Sequence, residues 1–288
     1  MPESSDVLAV LGDGLVDPVT PVARVDDAGL TRGDGCFEGC RVLVDSHGRG
    51  SVDKLDAHLA RMSRSAAALD IAFDVDAWRR LVTDAVTAWA ATGQGEAAMK
   101  LLLSRGPAST GAPTGLVWIT ALSADYSGLR RRGLTVVTLA RGVGSDAFAD
   151  SPWLLGSVKT LSYAINMAAQ REAARRGADD AIFVSTDGMV LESPTGSVVW
   201  AAGRTLHTTP TGATGILAGT TQQLLFHRAP SAGWQVRETL ATVDDLHEAD
   251  VVWIISSVRG PVDVVELDGK TRQRQPDTDA EIRRLCGF

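Results

Sequence analysis

Residues 152–170, PWLLGSVKTLSYAINMAAQ, place Lys159 inside an apolar stretch just ahead of an amphipathic helix. The chain has only four lysines against twenty-four arginines, so positive charge is normally supplied by arginine. Burial disfavours the ammonium form of a lysine and lowers its pKa, which turns the amine into a nucleophile able to form a Schiff base. The alternative is a surface lysine whose stem covers apolar area while the ammonium group stays in water.

The composition indicates a globular protein that acts on a small molecule. With 288 residues, 44% of them hydrophobic and 22% charged, the chain can fill two domains. No apolar run approaches the roughly 20 residues of a membrane helix. The acidic start of the chain lacks the basic and apolar regions of a secretory signal, so we expect a cytoplasmic protein. A net charge of −7 argues against nucleic acid as a partner, because phosphate binding needs a basic surface.

Cysteine spacing gives no metal site. Cys36 and Cys40 have the spacing C-x3-C, but no second Cys or His pair follows at ligand spacing. The segment around them has the pattern of a strand. We therefore expect buried, reduced thiols and no metal.

Short apolar runs separated by turn signals alternate with helical periodicities, which predicts a mixed α/β (α+β) fold with antiparallel hairpins. Asp53 is the expected cap of a helix through residues 54–71. A helix that ends at Gly177 is expected to begin near Lys159, and Glu192 is expected to close a strand. The polar segment SADYSGLRRRG interrupts the pattern, so we place a smaller N-terminal domain at 1–122, a linker at 123–132 and a larger C-terminal domain at 133–288.

Three further features gain meaning only together with Lys159. An acid that closes an apolar strand, such as Glu192, is costly to bury without a partner, although most strand-end acids are solvated. Thr220 and Thr221 begin a helix, where backbone N–H groups and the helix dipole favour a phosphate, although Thr is also an ordinary cap. Arg61 shares a helical turn with His58 and can face either solvent or a phosphate. An amine, a carboxylate and anion binders are together what pyridoxal phosphate requires.

Five motifs in order carry a resemblance to a known family: RGDGCFEGCRV, HLARM, VKTLSY, DGMVLES and GILAGTTQ. Over about residues 33–261 the chain resembles the class IV aminotransferases, the fold-type IV pyridoxal-phosphate enzymes. That family includes branched-chain aminotransferases, D-amino-acid aminotransferases and aminodeoxychorismate lyases. The resemblance implies two domains with mixed, largely antiparallel sheets and flanking helices, a cofactor in the cleft between the domains, and a homodimer.

The resemblance also implies roles for individual residues. Lys159 would form the Schiff base with pyridoxal 5′-phosphate and shuttle the substrate proton, and Glu192 would pair with the ring N–H. The other implied cofactor contacts are Arg61, Thr220, Thr221, Ser256 and Ser257 near the phosphate and Tyr163 at the phenolic oxygen. The candidate substrate contacts are Phe37, Arg105 and Ser109, the last of these within the loop 108–114.

The chain departs from the family pattern where substrate choice is expected to be determined. Ser162 and Tyr163 stand where members usually have Asn, and Gln222 stands where the phosphate turn usually has Arg. The Arg-x-His pair with which D-amino-acid aminotransferases bind the substrate carboxylate is replaced by PASTGAPTG. This replacement argues against a D-amino-acid specificity by that route. The segment CFEGCRV is closer to the aminotransferases, whereas the compact length and the VKTLS register are closer to the lyases. We predict an aminodeoxychorismate lyase that forms 4-aminobenzoate and pyruvate, with a branched-chain or D-amino-acid aminotransferase as the alternative and a binding module without activity as the non-enzyme alternative.

Overall fold

The computed structural model describes residues 6–122 and 125–288, which divide into two units. The first unit holds the described residues up to 122 together with Val158–Tyr163. The second holds residues 125–157 together with Ala164–Phe288. The predicted linker begins at positions 123 and 124, which lie outside the described residues, as does the start of the predicted N-terminal domain at positions 1–5. The rest of the predicted linker is helical.

A six-stranded antiparallel sheet forms the first unit within residues 6–122. Its spatial order is β2-β1-β6-β5-β3-β4. The prediction of antiparallel hairpins is confirmed by β1–β2 and β3–β4, and each of these turns at a glycine with positive φ, where a side chain would be strained. The strands are β1 (Val7–Val10), β2 (Gly14–Val16), β3 (Gly35–Val44), β4 (Gly50–Val52), β5 (Ala97–Ser104) and β6 (Thr114–Ala121).

Helices α2 (Leu55–Ala68) and α3 (Val75–Ala91) cover the apolar face of this sheet, whereas the short helix α1 (Ala28–Arg32) has no buried residue. Trp78 and Trp89, on α3, are fully buried in the core that they share with β5 and β6. The expected cap of α2 is wrong. The N–H of Asp53 donates to the carbonyl of Arg41 on β3, so Asp53 stays in the hairpin and Lys54, at φ 58°, becomes the cap residue without a side-chain cap bond.

A mixed sheet forms the second unit. Within residues 125–288 its eight strands run β11-β10-β9-β12-β13-β7-β8, with β14 paired to β13. The centre, β10-β9-β12-β13, is antiparallel, whereas β7 lies parallel to both β13 and β8. The strands are β7 (Leu134–Ala140), β8 (Asp180–Val184), β9 (Ser197–Ala202), β10 (Thr205–Thr208), β11 (Gln235–Glu238), β12 (Val251–Ser256), β13 (Gly260–Leu267) and β14 (Lys270–Thr271).

Five helices accompany this sheet within the described part of the second unit: α4 (Asp125–Arg132), α5 (Ala164–Arg175), α6 (Thr220–Arg228), α7 (Val243–Glu248) and α8 (Pro276–Cys286). Short 3₁₀ turns occupy Pro152–Leu154 and Ala229–Ala232. Helices α6 and α8 pack against β12 and β13 around Leu225, Trp253 and Ile282. This packing places the start of α6 beside the residues that follow β12. None of the helices in the described residues is long and apolar enough to cross a membrane.

Two sequence expectations about the site segments are corrected. Helix α5 begins at Ala164 rather than near Lys159, because the residues around Lys159 pair with β3 instead. Glu192 does not close a regular strand. Its carbonyl accepts the N–H of Phe183 on β8, beyond a turn at Gly188, and the return chain is held by a bridge between Val184 and Val190.

The expectation of buried thiols is confirmed. Cys36 and Cys40 are fully buried on β3. Burial raises the pKa of the Cys36 thiol to about 12 and raises that of Cys40 as well, so both stay protonated at neutral pH. The described residues contain no group of three His, Cys, Asp or Glu side chains placed to hold a metal ion.

Candidate active site

The segment that carries Lys159 is paired with the first half of β3. The N–H of Phe37 donates to the carbonyl of Lys159 at 3.0 Å, and the N–H of Leu161 donates to the carbonyl of Gly35 at 2.8 Å. The N–H of Lys159 in turn donates to the Ser65 hydroxyl on α2 at 3.3 Å. The backbone of the lysine is therefore held on both sides by elements of the first unit.

Two glycines of the RGDG motif explain why this pairing is possible. A Cβ at Gly35 would lie 2.7 Å from Leu161 Cδ1 and 2.5 Å from the Leu103 carbonyl. A Cβ at Gly33, whose φ is 69°, would lie 2.6 Å from Ser162 Oγ. Ser162 donates to the carbonyl of Gly33 at 3.3 Å. The motif thus clears space for the lysine segment, and Ser162, one of the family departures, takes part in the close approach.

The side chain of Lys159 lies between two aromatic rings. Its Nζ is 4.4 Å from the centroid of Phe37 and 5.5 Å from that of Tyr163. The two rings meet edge to face, with centroids 5.2 Å apart. The structure therefore brings together three predicted site residues, in a geometry that favours a cationic amine by cation–π attraction.

Backbone strain lies immediately before the lysine, in the second unit. Leu155 and Ser157 have φ angles of 56° and 64°, in the left-handed region that residues other than glycine rarely adopt. Ser157 is held there by its N–H, which donates to the Gly215 carbonyl, and by its hydroxyl, which donates to the Ile216 carbonyl, both at 2.9 Å. Strain of this kind, of order 1 kcal/mol or more, persists where the surrounding structure enforces it, often at functional sites.

Arg61 lies in a buried cluster that sequence reasoning missed. Its Nε and Nη2 donate to Glu38 Oε1 and Oε2, each at 2.7 Å, and His58 Nδ1 lies 2.8 Å from Glu38 Oε2. Glu38 and His58 have no solvent exposure and Arg61 has 5%. The signal in the sequence was the alternation along β3, which places Glu38 on the same face as the buried Cys36 and Cys40.

The cluster has a defined charge state. Burial alone would raise the pKa of Glu38, but the hydrogen bonds from Arg61 and His58 outweigh it and lower that pKa to about 2. Burial lowers the pKa of His58 more than Glu38 raises it. At neutral pH the carboxylate is therefore ionised and accepts from a neutral imidazole, whose proton we assign to Nδ1 for this reason.

Three predicted phosphate contacts meet at the start of α6, in the second unit. Thr220 Oγ1 lies 2.9 Å and Thr221 Oγ1 3.3 Å from Ser257 Oγ. The cap residue, Gly219, offers no side chain, and a Cβ there would lie 2.3 Å from Ser197 Oγ. Hydroxyl groups and the N-terminal end of a helix are the donors that an anion requires. Ser256, the last residue of β12, is half-buried next to Ser257.

Glu192 is also in the second unit and half-buried. Its Oε2 accepts the N–H of Leu217 at 3.1 Å, two residues before Gly219. The same short segment thus orients the carboxylate and leads into the hydroxyl cluster at the start of α6. The hydrogen bond from Leu217 therefore ties the Glu192 carboxylate to the segment that leads into Thr220 and Thr221.

The two remaining substrate candidates have structural partners in the first unit. The guanidinium of Arg105 donates to Asp34 at 2.6 Å and to the carbonyl of Leu69 at 2.6 Å. Ser109 is exposed, and its N–H donates to Asp26 Oδ2 at 3.3 Å. Neither is brought to the amine of Lys159 by a contact within this unit, and their substrate roles stay predictions.

Comparisons with known proteins show the family of the chain. A family model described as amino-transferase class IV matches residues 35–267. A bifunctional aminodeoxychorismate lyase / D-amino acid transaminase from Mycobacterium tuberculosis is 39% identical over 277 residues, which cover 94% of each chain.

Solved structures of aminotransferases also match nearly the whole chain. A hypothetical aminotransferase from Mycobacterium tuberculosis in its PLP-bound form matches with a TM-score of 0.92 at 39% identity, over 98% of this chain and 97% of that one. A fold IV transaminase from Curtobacterium pusillum matches with a TM-score of 0.91 at 38% identity, over 98% and 99%. The chain belongs to the class IV aminotransferase family.

Proposed function

We propose that the protein is a pyridoxal 5′-phosphate-dependent aminodeoxychorismate lyase that converts 4-amino-4-deoxychorismate to 4-aminobenzoate and pyruvate. The observation that carries the proposal is the placement of Lys159, whose amine lies against Phe37 and Tyr163 while its backbone is fixed to β3 and α2. The 39% identical relative, which is named for this lyase activity, supports the choice of reaction.

The side chains present fit the cofactor by their chemistry. In the first unit, Lys159 would hold it through Nζ. In the second unit, the hydroxyls of Thr220, Thr221 and Ser257 at the N-terminal end of α6 suit a phosphate. We propose Arg61, Ser256 and Tyr163 as further cofactor contacts, as the family resemblance implies.

When bound, the cofactor supplies an aldehyde that condenses with amines and a ring that withdraws electrons from the carbon bearing the amino group. Once the amine of the substrate has displaced it from the aldehyde, Lys159 Nζ would act as general base and then as general acid while pyruvate leaves and the substrate ring becomes aromatic. Glu192, oriented by the N–H of Leu217, holds a proton on the ring nitrogen, which an ionised carboxylate nearby favours. Phe37, Arg105 and Ser109 remain our candidates for substrate contact.

A second candidate function is amino transfer, for which the name of the same relative as a D-amino acid transaminase gives the specific support. Here Lys159 Nζ moves a proton from the α-carbon of an amino acid rather than assisting loss of pyruvate. The same residues serve both reactions, so the two activities can coexist in one site. We also keep a homodimeric assembly and a cytoplasmic location as proposals.

Product analysis tests the choice of reaction. The purified protein is incubated with 4-amino-4-deoxychorismate alone and, separately, with pairs of D- or branched-chain amino acids and 2-oxo acids. Equal amounts of pyruvate and 4-aminobenzoate without any 2-oxo acid are the result we expect. Turnover that occurs only when a 2-oxo acid is present would contradict the lyase proposal and favour the transaminase.

A further inference from the structure

Glu38, on β3, is fully buried, and the proposed cofactor contacts do not explain why a charged residue lies there. Glu38 shares its face of the strand with Cys36 and Cys40, which belong to the apolar core of the first unit. Helix α2 packs against this face. A charged side chain in such a place is expected only with compensating partners.

Both oxygens of Glu38 are used by side chains of α2. Oε1 accepts from Arg61 Nε, and Oε2 accepts from Arg61 Nη2 and from His58 Nδ1. Two parallel N–H···O bonds fix the plane of a guanidinium as well as its position. The carboxylate therefore determines the orientation in which Arg61 presents its charge.

Stability alone does not account for this cluster. Well-packed apolar side chains of similar volume often replace a buried ion pair at no cost, so the pair is weak evidence for stability. Glu38 also stays ionised and His58 stays neutral across the physiological pH range, because the pKa of each is lowered. The cluster is thus a fixed polar assembly rather than a titrating one.

The helix that carries Arg61 also holds the lysine segment. Ser65 follows Arg61 by one helical turn, and its hydroxyl accepts the N–H of Lys159. Arg61 and the backbone of Lys159 are therefore attached to the same face of one helix. An anion bound by Arg61 would stand at a fixed spacing from the amine.

We propose that Glu38 is a positioning residue that orients the guanidinium of Arg61 for the phosphate of the cofactor, with His58 holding Glu38 in place. This inference rests on the proposed function, since it assumes that the pyridoxal cofactor binds at Lys159. It adds a residue that touches neither cofactor nor substrate.

Comparing two ligands tests the proposal. Pyridoxal 5′-phosphate and pyridoxal share the ring and aldehyde, and only the first has a phosphate. Dissociation constants of both are measured by absorbance titration of the cofactor-free protein and of the variant Glu38→Gln. The matched control is Glu96→Gln, which also removes a carboxylate paired with an arginine of β3, Arg41.

For Glu38→Gln we expect binding of pyridoxal phosphate to weaken about tenfold, which is about 1.4 kcal/mol, and binding of pyridoxal to stay within about twofold. For Glu96→Gln both constants should stay within about twofold of the wild type. In an Arg61→Met background, Glu38→Gln should cause no further loss, because the guanidinium that it orients is gone.

A second variant keeps the test decisive if Glu38→Gln does not fold, since it leaves the Arg61 charge buried without its partner. His58→Phe keeps both charges and removes one donor to Glu38, and we expect about threefold weaker binding of the phosphate form alone. Equal losses for both ligands, or no loss, in the folded variants would overturn the proposal while leaving the proposed function intact. A wild-type protein that binds neither ligand at Lys159 would refute the proposed function and this inference with it.

Discussion

Asp279 on α8 is buried with only one of its two carboxylate oxygens satisfied. Oδ1 accepts the indole N–H of Trp253 at 2.8 Å, whereas Oδ2 has no hydrogen-bond partner among the described residues. The residue is 2% exposed. Burial, and then the nearby charge of Asp263, raise the pKa of this carboxyl from 3.8 to about 6. We therefore predict that Asp279→Asn stabilises the protein above pH 6.

The size of the effect follows from linkage between protonation and folding. A pKa raised from 3.8 to about 6 corresponds to about 3 kcal/mol, at about 1.36 kcal/mol for each unit. Because the folded-state pKa is the higher one, protonation of Asp279 contributes this free energy to stability fully below pH 3.8, and the contribution is lost as the pH rises through about 6. Asparagine keeps an oxygen for Trp253 and carries no charge. Loss of a favourable charge in the first turn of α8 subtracts about 0.3–1 kcal/mol, so we expect a net gain of roughly 2 kcal/mol at pH 8.

Chemical unfolding at pH 5 and at pH 8 measures this effect. The free energy of unfolding of Asp279→Asn should exceed that of the wild type at pH 8, and the difference should shrink at pH 5. Asp277→Asn is the matched control, because it removes the same charge from the same turn of α8 at an exposed position. A variant less stable than the wild type at pH 8, or a difference independent of pH, would refute the reasoning.

Two further predictions concern the second unit. Gly219→Ala should weaken binding of pyridoxal phosphate in an absorbance titration by roughly tenfold or more, because the new Cβ meets Ser197 Oγ and displaces the start of α6. The control is Gly95→Ala, where a Cβ meets nothing within 4 Å and the affinity should not change. Equal affinities of the two variants would contradict the role of α6. The variant Glu192→Gln should still bind the cofactor, because its amide oxygen can accept the N–H of Leu217. Its kcat for pyruvate formation should fall about a hundredfold, because the charge is lost. An unchanged kcat would exclude Glu192 as the partner of the ring nitrogen.

Local patterns were sufficient for the hairpins and most helices. Glycines with positive φ lie at the turns of the β1–β2 and β3–β4 hairpins, and the apolar residues of α3 recur at helical spacing on its buried face. These features depend on residues close in the chain, where turn chemistry and helical spacing act directly. The cap of α2 was missed because a bond from Asp53 to the distant Arg41 decides where that helix starts.

In the candidate site, too, local patterns predict some features and contacts between distant residues decide the others. The order of the motifs was enough to propose Lys159, Glu192 and the start of α6 as site residues. The pairing of the lysine segment with β3 was not predictable in this way, because it joins residues more than 120 positions apart. The partners of Arg61 were equally hidden, because Glu38 lies on a different element and only the strand alternation hints at its burial. Long-range pairing of this kind leaves no local pattern to detect.

The central claim is that Lys159 is the amine that carries the cofactor. The protein is loaded with pyridoxal 5′-phosphate, reduced with borohydride, digested and analysed by mass spectrometry. Lys100, an exposed residue of β5, is the internal control. A phosphopyridoxyl group on the peptide that contains Lys159, and none on that containing Lys100, is the predicted result. Absence of the adduct at Lys159, or an adduct spread over several lysines, would contradict the account.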